Sequence, residues 1–216
     1  MAKGLDALRA PVHRIIGPVV RWLVRHRVHP NLLTTGGFVT VVGAGLLYHL
    51  DHVRWAGVLV LLGGVWDIFD GQVARVSGMA SKFGAFYDST LDRISEITVF
   101  LGLLSLYNRY GREMADVWMV YVIVLAMGGS LMVSYTRARA EGLGLDCKVG
   151  LMQRPERVVL LGLGSLSFGL MWRGLVLKIA IILVAVLTNL TAVQRIAWVL
   201  RHGAGVPVDD PSLRGQ

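Results

Sequence analysis

The chain has 216 residues, of which 54% are hydrophobic and only 17% charged, and its mean hydropathy is +0.58. That balance excludes an ordinary soluble domain and leaves room, at ~20 residues per crossing of a ~30 Å hydrocarbon core, for about six helical spans joined by short loops. A net charge of +8 raises nucleic acid as a partner, but in a membrane chain the placement of basic residues matters more than their sum, and none is expected.

Residues 3 to 27 read as an amphipathic helix on the cytosolic membrane surface, with Leu5, Leu8, Val12, Ile15, Ile16, Val19, Val20 and Leu23 recurring at helical spacing. Arg9, Arg14, Arg21, Arg25 and Arg27 interrupt the apolar run, so it is not read as a signal peptide. Six spans are predicted next: Leu32 to Leu50, Trp55 to Ala74, Gly84 to Leu106, Val117 to Thr136, Val158 to Met171 with flanking residues, and Leu175 to Val199. The expected fold is thus an all-α membrane protein, organised as a juxtamembrane helix (1–30), a six-helix transmembrane domain (31–202) and a polar tail (203–216). The third span carries Asp88, Asp92, Arg93 and Glu96, and the fifth is short and glycine-rich, which makes both weak by hydropathy. Most of the basic residues fall on the face that holds the N-terminus, so the positive-inside rule predicts an inner-membrane protein with both termini cytoplasmic. The lone Cys147 permits no internal disulfide and carries no argument.

The costly feature is a group of aspartates. Asp67 and Asp70 lie near the cytosolic end of the second span and Asp88 and Asp92 near the start of the third. Each costs about 2.5 to 3.5 kcal/mol at the centre of a membrane helix on insertion scales, so something must neutralise them. Spacings of i, i+3 and i, i+4 put each pair on one helix face, and the short loop lets the faces meet. Four converging carboxylates repel unless several are protonated or cations sit between them; metal is the simpler answer, hard oxygen donors favour Mg²⁺, Mn²⁺ or Ca²⁺ over zinc, and two divalent ions balance four charges and suit phosphoryl chemistry. The competing explanation is that Arg75, Arg93 and Lys82 pair with the aspartates merely to hold helices together. A divalent-cation transporter also places carboxylates between helices, although along a path through the bilayer rather than at one end.

The pattern Asp67-x-x-Asp70-Gly71-x-x-Ala74-Arg75, eight residues, Gly84-x-x-x-Asp88-x-x-x-Asp92 resembles the signature of the CDP-alcohol phosphotransferase family, which makes phospholipids. The resemblance implies that Asp67, Asp70, Asp88 and Asp92 bind two Mg²⁺ or Mn²⁺ ions and that Asp92 is also the general base. It implies contacts to CDP-diacylglycerol from Asp67, Gly71, Arg75, Ser81 and the Asn31-Leu32-Leu33-Thr34 segment, which reads equally well as a plain proline-led helix start. Gly84 is expected to permit close helix packing. Ser134-Tyr135-Thr136-Arg137 and Arg154-Pro155-Glu156-Arg157 resemble segments of the branch that joins inositol phosphate to the donor, with Arg137 in place of the usual lysine. In that branch Ser134, Arg137, Arg154, Arg157 and Arg195 would bind the acceptor phosphate of 1D-myo-inositol 3-phosphate, whereas Arg139 and Arg201 suit lipid headgroups. Glycerol 3-phosphate is the rival acceptor, and the resemblance also implies a homodimer among membrane lipids.

Overall fold

The computed structural model describes residues 16–113, 116–168 and 174–204. Every regular element among them is a helix. In chain order these are α1 (16–25), α2 (Pro30–His49), α3 (Val53–Ser77), α4 (Lys82–Glu113), α5 (Met119–Glu141), α6 (Arg154–Leu166) and α7 (Leu175–Gly203). The helices α2, α3, α5 and α7 are long and apolar enough to cross a membrane. The other two expected spans differ for physical reasons. Helix α4 has 32 residues but its first half carries Lys82, Asp88, Asp92, Arg93 and Glu96, while α6 has 13 residues, or about 20 Å of helix. Its expected end at Met171 lies outside the described residues.

Helix α1 is two-faced. Ile16, Val20, Leu23 and Val24 join Leu33 of α2 and Trp66, Phe69 and Val73 of α3 in a small apolar cluster, while Trp22 and Val19 stay exposed. Residues 3–15 of the expected surface helix lie outside the described set. The main core is elsewhere, built from Tyr48, Phe100, Leu103, Met119, Ile123, Leu177 and Ile181 with small residues such as Ala44, Ala56 and Ala126 between them.

Small residues set the helix spacing, because lipid chains are as apolar as leucine and close backbone approach must supply the packing energy. Helix α2 crosses α4 at Gly45 and Gly102, where a Cβ on Gly45 would fall 2.6 Å from the Thr98 carbonyl oxygen and one on Gly102 would fall 3.0 Å from Gly45 Cα. Helix α3 crosses α6 at Gly57, where a Cβ would fall 2.8 Å from the Gly162 carbonyl oxygen. These two crossings hold α2, α3, α4 and α6 at the distances the site requires.

The turn between α3 and α4 follows from local chemistry. Gly78 ends α3 in the left-handed region at φ 69, which costs a glycine nothing. Three residues later the Ser81 hydroxyl accepts from the Gly84 amide at 3.0 Å, satisfying one of the unpaired donors at the start of α4. The reversal is therefore tight, and the acidic ends of both helices face each other.

Candidate active site

Asp67 and Asp70 sit on the last turns of α3 and Asp88 on the second turn of α4. Each of the three offers a carboxylate oxygen within 4.8 Å of the others. Asp70 is buried and accepts a 2.8 Å hydrogen bond from Thr34 Oγ1 of α2, which holds its carboxylate in place. An all-carboxylate set at this separation fits a hard divalent cation such as Mg²⁺ or Mn²⁺. Asp92 lies one turn further along α4 and outside this trio. Its carboxylate is 2.7 Å from Arg154 Nη2 and 3.6 Å from Arg93. The other arm of Arg154 is hydrogen-bonded to Asp67, so one guanidinium of α6 bridges α3 and α4.

Two clefts meet at Asp88. The first, of about 170 Å³, is lined by Pro30, Asn31, Thr34, Asp70, Gly71, Arg75, Ser81, Gly84 and Asp88 among others. It brings together most of the residues expected to contact the nucleotide. Asp67, Leu32 and Leu33 are not among them: Asp67 is held by Arg154, Leu32 is 65% exposed and Leu33 is buried against Val20 and Val73. Gly71 lies beside Arg75, with the position of a Cβ there in van der Waals contact with Arg75 Nη1 at 3.4 Å. Gly84 serves the approach of α2, because its Cβ would lie 3.3 Å from Asn31 Oδ1.

The second cleft, about 830 Å³, opens between α4 and α5 and is lined by Asp88, Asp92, Arg93, Ser134, Tyr135, Arg137 and Glu141 among others. Of the five residues expected to bind an acceptor phosphate, Ser134 and Arg137 line this cleft, Arg137 with its Nε 2.7 Å from Glu141. Arg157 and Arg195 do not. Both are 2% exposed. Arg157 pairs with Glu96 at 2.7 Å, and Arg195 donates to the carbonyls of Val149, at 2.8 Å, and Val133. Sequence reasoning missed Glu96 as a partner, although Asp88, Asp92 and Glu96 recur at i, i+4 and Arg154 and Arg157 at i, i+3, so the two faces match rung for rung. It also missed the clamp from Thr34 to Asp70.

A multi-pass helical membrane protein with a carboxylate trio at the junction of two polar clefts, one lined by glycine and arginine and the other by serine and arginine, is built for transfer between two anionic substrates. Residues 27–201 match the family model described as CDP-alcohol phosphatidyltransferase, and the chain belongs to that family. A phosphatidylinositol phosphate synthase of Streptomyces avermitilis is 36% identical over 91% of this chain and 82% of its own length. The crystal structure of the Mycobacterium tuberculosis phosphatidylinositol phosphate synthase with CDP-DAG bound superposes with a TM-score of 0.78 at 31% identity, covering 91% of this chain and 98% of that one. The same enzyme in complex with manganese and citrate superposes with a TM-score of 0.76 at 30% identity, covering 89% of this chain and 91% of that one.

Proposed function

We propose that the protein transfers the phosphatidyl group of CDP-diacylglycerol to a hydroxyl of inositol phosphate, giving phosphatidylinositol phosphate and CMP. The observation that carries this reading is the meeting of two differently lined clefts at Asp88, one suited to a nucleotide diphosphate and one to a phosphorylated polyol. The names of the relatives and the donor bound in the mycobacterial structure support the same pair of substrates.

In this reading Arg75 faces the donor diphosphate and Gly71 lets it approach the backbone of α3. Ser134 and Arg137 hold the acceptor phosphate, Arg137 by charge-assisted hydrogen bonds. Asp92, at the wall of the acceptor cleft, accepts the proton of the attacking hydroxyl as the new phosphorus–oxygen bond forms and the bond to CMP breaks. Two Mg²⁺ or Mn²⁺ ions held by Asp67, Asp70, Asp88 and Asp92 supply, when bound, the positive charge that steadies the diphosphate. Arg157 and Arg195 support these groups from within the protein.

The topology that suits this chemistry has six crossings. Helices α4 and α6 add to the four apolar spans because each packs among them and they pair charges with each other, Arg154 with Asp92 and Arg157 with Glu96, rather than facing those charges to lipid. The basic residues gathered at the end that carries the aspartates support a cytoplasmic active site with both termini on that side, and α1 lies along the same surface. A homodimer in the inner membrane completes the reading.

The test is CMP release by purified protein given CDP-diacylglycerol and a panel of acceptors, with and without Mg²⁺ or Mn²⁺. Metal-dependent turnover with inositol phosphate is expected. A preference for glycerol 3-phosphate would replace the acceptor, and divalent-cation flux without transfer would replace the class.

A further inference from the structure

The guanidinium of Arg154 reaches two aspartates on different helices. Nη1 is on Asp67 Oδ2 and Nη2 is 2.7 Å from Asp92 Oδ1. Asp67 belongs to the trio that can hold a cation, and Asp92 stands beside it. The arginine thus occupies one flank of the acidic group while Asp70 and Asp88 form the other.

The charges decide what this means. The cluster has four carboxylates, of which Asp67 and Asp92 touch cationic side chains, Arg154 on both and Arg93, at 3.6 Å, on Asp92. One divalent ion balances the remaining two charges. A second ion would leave an excess of positive charge that withdrawal of a resident cation reduces, and it would need the Asp67 and Asp92 oxygens that Arg154 holds. Arg93 touches only Asp92. Arg157, one turn beyond Arg154 on α6, is already committed to Glu96 at 2.7 Å and is buried, so it cannot substitute. Arg154, with 23% of its side chain exposed, is the one arginine on the cluster that holds oxygens of both Asp67 and Asp92, so it is the one a second ion must displace.

We infer that Arg154 is an internal cation of the acidic cluster, which competes with divalent metal for Asp67 and Asp92 and is displaced from them as the second ion loads. The inference rests on the two-ion reading above and adds a consequence to it. Metal loading and release of the guanidinium are one event, so a cationic side chain becomes available to an anionic substrate only in a metal-loaded site. Glu96 retains Arg157 and so keeps it away from the cluster.

Metal binding measured without substrates reads this directly. Full-length protein in detergent is titrated with Mn²⁺ and followed by electron paramagnetic resonance of the free ion and by calorimetry, comparing wild type with Arg154→Gln and Arg154→Lys, and with Arg139→Gln as a surface control. Removing a competing charge-assisted pair is expected to tighten the weaker Mn²⁺ step by about tenfold or more in Arg154→Gln. Arg154→Lys should fall between, since a lysine keeps the charge but cannot bridge two carboxylates, and Arg139→Gln should match wild type. Both Arg154 variants should nevertheless turn over more slowly, a combination that a merely structural arginine would not produce. Equal or weaker Mn²⁺ binding in the Gln variant overturns the inference while leaving the metal site intact. If Arg154→Gln does not fold, the Lys variant decides by the same comparison. Wild type that binds no Mn²⁺ would instead sink the two-ion reading and this inference with it.

Discussion

Arg157 separates a substrate-binding arginine from a structural one. Its guanidinium is 2% exposed, with Nε 2.7 Å from Glu96 Oε1 and Nη2 3.4 Å from Oε2, and Glu96 itself is only 12% exposed. Arg157→Met preserves much of the side-chain volume and leaves the Glu96 carboxylate without its cation. Breaking a buried pair in this way costs about 3 to 5 kcal/mol. At roughly 2 to 4 °C per kcal/mol for a chain of this size, the melting temperature should fall by about 6 to 20 °C. The companion Glu96→Gln/Arg157→Met removes both charges and should recover most of that loss, because two neutral groups of similar size no longer leave a bare charge inside the protein. Thermal unfolding of the detergent-solubilised chain, run as a double-mutant cycle, measures the coupling. An unchanged melting temperature in Arg157→Met together with a tenfold rise in acceptor KM would refute the reasoning and return Arg157 to the substrate.

Asp67→Asn, Asp70→Asn and Asp88→Asn should each abolish most metal-dependent CMP release, since an amide supplies neither the charge nor the donor strength a hard cation needs; near-normal turnover at saturating Mg²⁺ would count against the trio. Asp92→Asn should lower kcat by ~10²-fold or more with little change in donor KM, whereas parallel loss of donor affinity would make Asp92 a metal ligand only. Arg137→Ala should raise acceptor KM by about one to two decades, as expected for lost charge-assisted bonds to a phosphate, while Arg139→Ala leaves both constants unchanged; a donor-specific effect would move Arg137 to the other cleft. Gly102→Leu should destabilise the chain and lower turnover, because its side chain meets Tyr48 Cβ, 2.9 Å from the position of a Cβ at residue 102; a stable, active variant would show that the crossing of α2 and α4 has slack.

The legible part of the fold was the part that lipid dictates. Long uniform apolar runs mark α2, α3, α5 and α7 because nothing in them competes with hydrocarbon, and their predicted and observed ranges overlap over most of their length. Helices α4 and α6 were harder for the reason that makes them useful: charge on α4 and glycine on α6 lower their hydropathy while serving the site and the crossings. The aspartate spacing was legible because i, i+3 and i, i+4 are local properties of one helix, and the short α3–α4 turn leaves two such faces little choice but to meet.

What sequence spacing does not contain is which way a helix is rolled and which neighbour it meets. Asn31, Leu32, Leu33 and Thr34 form one continuous segment, yet successive residues on a helix point about 100° apart, so Asn31 and Thr34 reach the cleft while Leu32 and Leu33 turn away. The same limit explains the arginines. Arg154 and Arg157 occupy one face of α6, but the crossing at Gly57 and Gly162 sets how far that face sits from α4, and it places Arg154 level with Asp92 and Arg157 level with Glu96. Arg195 is at the expected end of α7, but the nearby loop carries a backbone carbonyl, Val149, that no helix satisfies. A half-buried carbonyl left without a donor is costly, and Arg195 donates to it, which ties the loop to α7.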